Sequence, residues 1–291
     1  MPDDQPDDQP DTTAETTPVS TAPVRGGRRG RKGRKNKKPK KKYDSILGYL
    51  WGEWIRPLGI IFVIMGVFRL VAFDWFDVPT GSMEPTIMVG DRIAVHKWAY
   101  GIRVPFTKET WIVKWDRPVR GDIVVCHSPD EGDEVRLVKR IVAQPGDIIE
   151  MREGLLVING EPAEYADADQ SLFDHIDPIR VATFDFLVET VDEDGNGPGY
   201  SHTIMLDETP KSIRNFPPIE VPEDQYVMIG DNRDHSKDSR AWNLEQPEYG
   251  RRIGFIGHER IQGRAFAVAF SLDKNGGIWT PRWNRFFKRL D

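Results

Sequence analysis

The chain has 291 residues, of which 38% are apolar and 30% charged, with a mean hydropathy of −0.52. That balance excludes a polytopic membrane protein and suits one or two domains. A single cysteine, Cys126, excludes an internal disulfide and a cysteine-built zinc site, and the six histidines form no ligand-spaced pair. No metal and no cofactor is expected.

The net charge of −6 averages unlike parts. Residues 1–24 hold six acids and no base, whereas 25–42 (RGGRRGRKGRKNKKPKKK) hold twelve Lys/Arg and no acid. Positions 43–291 are left with 28 basic and 40 acidic residues, a net of −12. A basic tail on an acidic body argues against nucleic-acid binding by the folded part. The whole of 1–42 has little to bury and is expected to be disordered.

Residues 57–73 (PLGIIFVIMGVFRLVAF) are apolar except for Arg69. At 1.5 Å per residue a helix there spans roughly 25 Å, a little less than a hydrocarbon core of about 30 Å. Trp51 and Trp54 precede the run and Trp75 follows it, as interfacial aromatics would. A single transmembrane helix at about 57–73, within an anchor region 43–74, is the expectation. The alternative is a buried helix of a soluble domain. If the segment spans, the basic run holds the N-terminus in the cytoplasm, can contact anionic lipid, and leaves everything after Phe73 outside.

The remainder reads mostly as strands. Residues 92–100, 121–129, 134–144, 155–160, 225–230 and 263–272 are β-branched or aromatic runs bounded by Gly, Pro and Asp. Asn159-Gly160 marks a tight hairpin. Residues 161–220 differ: acidic and loop-like, with an inner strand at 182–191 and a turn at DEDGNGPG, they read as an insertion between core strands.

Three segments could carry chemistry. Ser82 lies in VPTGSMEPTI (78–87), where Pro79, Gly81 and Pro85 predict a rigid turn and not a helix. No Gly-x-Ser-x-Gly elbow accompanies it, so a plain turn serine is one reading. A lysine can replace histidine as the base if its amine is neutral, which burial favours. Alternation in EVRLVKRIVAQ puts Lys139 on the face of Val135, Leu137 and Ile141, although strand lysines usually lie exposed at an edge. The third segment, YVMIGDNRDHSKDSRAW (226–242), runs from a strand into a dense polar loop, which must satisfy its own polar groups.

Together, PTGSMEPTI, VGDRIAVHKWAYG, RGDIVV…LVKRIVAQPGDII and VMIGDNRDHSKDSRAW resemble the bacterial type I signal peptidases, in that family's order, over roughly 75–160 and 221–291. The resemblance implies a mainly β fold: a signal-peptidase-type antiparallel catalytic core at 75–291, carrying a β-rich insertion at about 161–220 and preceded by one N-terminal transmembrane helix. It implies a serine endopeptidase of the cytoplasmic (inner) membrane that removes signal peptides from translocated preproteins after small residues at −3 and −1. Carried over residue by residue, Ser82 is the nucleophile and Lys139 the general base. The oxyanion hole comprises the Ser82 N–H and the Thr80 hydroxyl. Ser236 orients the lysine amine, and Asp238 and Arg240 brace the site. Phe76, Val78, Met83, Ile87 and Val138 form the substrate pockets, and the peptide enters as an added β-strand.

The chain departs from the family where Ala241-Trp242-Asn243 lacks a following glycine, and at Glu84 and Arg136. Two other classes are compatible with the same residues: a self-cleaving repressor-type Ser/Lys autoprotease and a catalytically silent membrane scaffold. No helix-turn-helix precedes the dyad, and intact Ser82, Lys139, Thr80 and Ser236 oppose the scaffold.

Overall fold

Antiparallel pairing organises the chain from Phe73 onward. The computed structural model describes residues 46–103, 111–132, 134–169, 173, 176, 178–242, 253–273 and 279–290. The expected disordered tail at 1–42, with its basic run, lies outside them.

Helix α1 (Ile46–Leu50) continues through a π turn (Trp51–Ile55) into α2 (Arg56–Ala72), whose second residue is Pro57. Leu58, Ile60, Ile61, Phe62, Val63, Ile64 and Met65 all lie exposed along α2, so it is not packed into a soluble core. No helix among the described residues is by itself long and apolar enough to cross a membrane; α2 has 17 residues.

The strands then follow. They are β1 (Phe73–Asp77), β2 (Asp91–His96), β3 (Gly101–Arg103), β4 (Trp111–Lys114), β5 (Ile123–His127), β6 (Arg136–Ala143), β7 (Ile148–Arg152), β8 (Leu155–Ile158), β9 (Glu161–Pro162) and β10 (Glu164–Asp167). After helix α3 (Pro178–Thr183) come β11 (Phe184–Val191), β12 (Tyr200–Asp207), β13 (Phe216–Glu220), β14 (Gln225–Ile229), β15 (Ile256–Gly257), β16 (Ile261–Asp273) and β17 (Thr280–Pro281). The main sheet has the order β1-β2-β16-β5-β6-β14-β15, with β17 on β16. Smaller sheets are β13-β7-β8-β9, β10-β11-β12 and the hairpin β3-β4.

The main sheet is buried on both faces at its centre, which is why β5 reads as an unbroken apolar run. Alternation sends Ile123 and Val125 into one cluster with Phe76, Val78, Met83, Ile87 and Ile93. Val124 and Cys126 go into another with Ile141, Tyr226 and Met228. Each expected strand is present with slightly shifted ends, and Asn159 and Gly160 have φ of 54° and 87°, as a two-residue hairpin between β8 and β9 requires.

The segment 161–220 is more regular than its composition suggests. The expected inner strand is β11, and it pairs over its full length with β12, whose Tyr-Ser-His-Thr start hides it from a hydropathy reading. A separate apolar cluster of Met88, Ala168, Phe173 and Ile176 supports this sheet, with Phe186 and Val188 of β11 against it.

Candidate active site

The serine lies in a turn, as its prolines and Gly81 require, between β1 and β2. The turn is tied down from several sides. Val78 N–H donates to Asp91 O at 3.0 Å, Ile87 N–H to Met83 O at 2.9 Å, and Met88 N–H to the Asp91 carboxylate at 2.9 Å. Arg285, from the chain's C-terminal segment, is buried beneath it. Its guanidinium pairs with Asp91 at 2.5 Å and donates to Thr86 O at 2.9 Å. The tail that alternates aromatic and basic residues is therefore split: Arg285 and Leu290 enter the core, while Trp283 and Phe287 face outward.

Lys139 approaches from β6. Its register partner is Val124 on β5, and it shares a face with Leu137 and Ile141 as alternation predicts. The side chain is 2% exposed. Its Nζ lies 2.7 Å from Ser82 Oγ and 3.0 Å from its own neighbour's carbonyl, Val138 O. Burial pushes the amine pKa below the ordinary lysine value, against the opposing pull of the Asp238 and Asp231 carboxylates. Beside it the Cys126 thiol is pushed up to about 12 by burial, which keeps it neutral. A serine hydroxyl in contact with an amine biased toward neutrality is the pairing that nucleophilic catalysis needs.

The polar loop after β14 closes the far side, pairing Arg240 with Asp238 within itself and its other charges with neighbouring elements. Arg140 is bidentate to Asp231 at 3.0 and 2.9 Å. Arg240 is bidentate to Asp238 at 2.9 and 2.7 Å, and Asp238 also accepts Gly230 N–H at 3.0 Å. Burial raises the Asp238 carboxyl, but the Arg240 charge and hydrogen bonds outweigh it, and the net shift is downward. Arg233 reaches β11, pairing with Glu189 at 2.7 Å, both side chains fully enclosed.

Of the residues anticipated from sequence, Phe76, Val78, Thr80, Ser82, Met83, Val138 and Lys139 line one cleft of about 200 Å³. Ile87 does not line it. It is 0% exposed and packs behind the cleft in the core, because the Ser82 turn folds it inward against Ile93 and Val125. Ser236 is buried near Asp238, but its Oγ makes no hydrogen bond to Lys139; the lysine's contacts go to Ser82 and Val138 instead. Asp238 and Arg240 stand as a buried pair within the loop.

The cleft has an open backbone edge. β14 covers β6 only from Arg140 to Ala143, and no strand among the described residues pairs with the other edge of Arg136–Val138. Four further residues, Gly230, Asn232, Asp91 and Arg285, carry no role in the sequence reading. Gly230 has Ser236 Oγ and Ser82 O where a β-carbon would sit. Asn232 donates to the carbonyls of both Gly81 and Ser82. The Asp91–Arg285 pair supports the turn from below. All but Arg285 lie inside the quoted motifs, yet only the non-local contacts reveal what they do. The acidic turn Asp192–Asn196 is occupied by protein partners, with Asp194 paired to Arg120 and bonded to Asn159.

The model for "Signal peptidase, peptidase S26" matches residues 51–270. The chain is 33% identical to a signal peptidase I of Pseudomonas aeruginosa, over 73% of this chain and 69% of that one. It is 29% identical to a signal peptidase I of Haemophilus influenzae, over 82% and 75%. Among solved structures, a signal peptidase I of Enterococcus faecalis is 26% identical and covers 51% of this chain and 97% of its own, with a TM-score of 0.26. A family model that takes in the serine turn, the lysine strand and the polar loop together, and relatives that match along most of their length, leave one conclusion: this chain belongs to the signal peptidase family, peptidase S26.

Proposed function

We propose that this chain is a membrane-anchored serine endopeptidase that removes signal peptides from translocated preproteins through a Ser82/Lys139 dyad. The observation that carries the reading is the 2.7 Å contact between Ser82 Oγ and a Lys139 amine that is almost wholly buried.

In this mechanism neutral Lys139 takes the Ser82 proton as Oγ attacks the scissile carbonyl. The oxyanion is received by the Ser82 N–H and the Thr80 hydroxyl; one such donor is worth roughly 3 kcal/mol. Protonated Lys139 then delivers its proton to the leaving amine, and an acyl-enzyme remains on Ser82. Lys139 next deprotonates the water that releases it. Ser236, Asp238 and Arg240 hold the surroundings of the amine by packing and charge.

The preprotein binds as an extended strand along the unpaired edge of Arg136–Val138. Phe76, Val78, Met83 and Val138 lie close to that backbone, so small side chains at −3 and −1 fit and large ones do not. Ile87 acts behind these walls and does not touch the peptide.

Residues 1–42 form the cytoplasmic tail, 43–74 the anchor region and 75–291 the extracytoplasmic catalytic domain with its insertion. Support for the anchor is the bare apolar surface of α2, which a soluble domain rarely leaves uncovered. The helical run continues unbroken from Ile46 to Ala72, roughly 40 Å at 1.5 Å per residue. Twelve basic residues on the N-terminal side favour a cytoplasmic N-terminus against anionic lipid. Anchoring enzyme and substrate in one bilayer raises their effective concentration. Family membership and the exposed helix favour this reading over a self-cleaving repressor or a silent scaffold.

The test is cleavage of a precursor in reconstituted membranes, with the new N-terminus of the product sequenced. Wild type should cut after a small-x-small sequence, and Ser82→Ala and Lys139→Ala should not. Wild-type-like processing by either variant would overturn the reading.

A further inference from the structure

The Ser82 N–H belongs to the Gly81–Ser82 peptide. That peptide is trans, so its C=O and N–H lie in one plane and point in opposite directions. Whatever holds Gly81 O therefore aims the Ser82 N–H. Asn232 is placed to do this. Its side-chain Nδ2 donates to Gly81 O at 3.0 Å, and its backbone N–H donates to Ser82 O at 3.2 Å. One residue thus grips the carbonyls on both sides of the serine. The other donor to Gly81 O is Glu84 N–H at 3.2 Å, from within the same turn, which cannot fix the turn relative to the rest of the protein.

Asn232 is itself immobilised. It is 1% exposed. The peptide groups beside it are clamped by Met205 of β12, whose N–H donates to Asp231 O at 2.9 Å and whose carbonyl accepts Arg233 N–H at 2.9 Å. Met205 is fully buried. The insertion thus reaches the serine through two steps, from β12 to Asn232 and from Asn232 to the Gly81–Ser82 peptide. The Asn232 Oδ1 is buried without a hydrogen-bond partner. An orphaned buried acceptor is unfavourable, and the fold tolerates it where the Nδ2 donor is needed.

The geometry points to Asn232 as the positioning residue that aims the oxyanion-binding N–H of Ser82, with β12 of the insertion as its support. This deepens the proposed function and rests on Ser82 being the nucleophile. Asn232 touches no substrate atom; it acts through the peptide plane.

The test uses the full chain in detergent or membranes, with Asn232→Ala and Asn232→Asp, the second keeping the side-chain shape while removing the donor. For both, kcat should fall about 10- to 100-fold, the scale of a small misplacement of a catalytic group, with KM within about threefold of wild type. Affinity for a peptide boronate, which forms a tetrahedral adduct on serine, should fall by the same factor as kcat/KM. Affinity for an uncleavable substrate peptide should not change. The acid limb of the pH–rate profile should stay where it is, since Lys139 is untouched. Unchanged kcat, or equal weakening of boronate and uncleavable peptide, would overturn the inference.

In the wild type, the side-chain amide protons of Asn232 should be protected from solvent exchange. Rapid exchange would overturn the inference even if neither variant folded. Ser82→Ala serves as the separate control. An active Ser82→Ala chain removes the proposed function, whereas an inactive one beside fully active Asn232 variants removes only this inference.

Discussion

Ser236 Oγ occupies the space that a β-carbon on Gly230 would need, and the Ser82 carbonyl oxygen borders the same space. Gly230 is thus the gap through which the polar loop and the Ser82 backbone come together. Its N–H also donates to Asp238 at 3.0 Å. Gly230→Ala should displace Ser236, Ser82 or both. Because catalysis is sensitive to shifts of about 1 Å, kcat should drop by about 100-fold or more. Precursor cleavage checks this, with near-UV circular dichroism confirming that the core persists. A Gly230→Ala chain within about threefold of wild type would refute the packing account.

The rate should depend on pH through Lys139. Burial holds its amine below the ordinary lysine pKa, and only the neutral form can accept the serine proton. Activity should therefore rise as pH increases through the folded-state pKa and approach a plateau on the alkaline side. A kcat/KM profile between about pH 5 and 10 tests this. Arginine, which stays protonated throughout that range, should give an inactive Lys139→Arg chain at every pH.

The same burial has a stability consequence of definite sign. Between the folded pKa of Lys139 and its higher unfolded value, the unfolded chain binds more protons, so this group's contribution to stability increases with pH across that window. Lys139→Met removes the buried titratable amine at similar volume. It should be inactive, yet more resistant to denaturant than wild type at neutral pH. The difference should narrow as pH rises toward the ordinary lysine value. Denaturation curves of the two chains at several pH values provide the measurement.

Asp91 and Arg285 form a buried pair under the serine turn, joined at 2.5 Å with side-chain exposures of 0% and 2%. Removing one member strands the other charge, so Arg285→Met should destabilise the chain by roughly 3 kcal/mol. Arg282, at 4.0 Å from Asp91, compensates only partly. Activity should fall as well, because the turn loses the donor to Thr86 O. Chemical denaturation and precursor cleavage on the same preparation check both effects.

How far the site was legible in sequence varies by residue. The motifs point to Ser82 and Lys139 as candidates, and their local settings follow from Pro79, Gly81 and Pro85 around the serine and from two-residue alternation around the lysine. Thr80 could be named for the same reason. Ile87 was mistaken for a cleft wall because a motif position does not say which way a turn folds its side chains; here it points into the core. Ser236 lies buried near Asp238, while the hydrogen bonds of the lysine amine go to Ser82 and Val138. β12 escaped notice because its polar residues, Ser201 and His202, mask a strand held by pairing with β11.

The amino-acid order by itself determined the local geometry: the serine turn, the unbroken apolar β5, the Asn159-Gly160 hairpin and the face of β6 that carries Lys139. Short-range sterics and alternation act over a few residues, so a window of sequence contains them. Only the tertiary structure decided that residues 57 positions apart meet at 2.7 Å. It also decided that Asn232, Gly230 and Arg285 converge behind them, and that β12 reaches the Asn232 segment through Met205. Those contacts depend on which strands pair and in what register. That choice is made by burying several apolar faces at once, a property of the whole sheet and not of any segment within it.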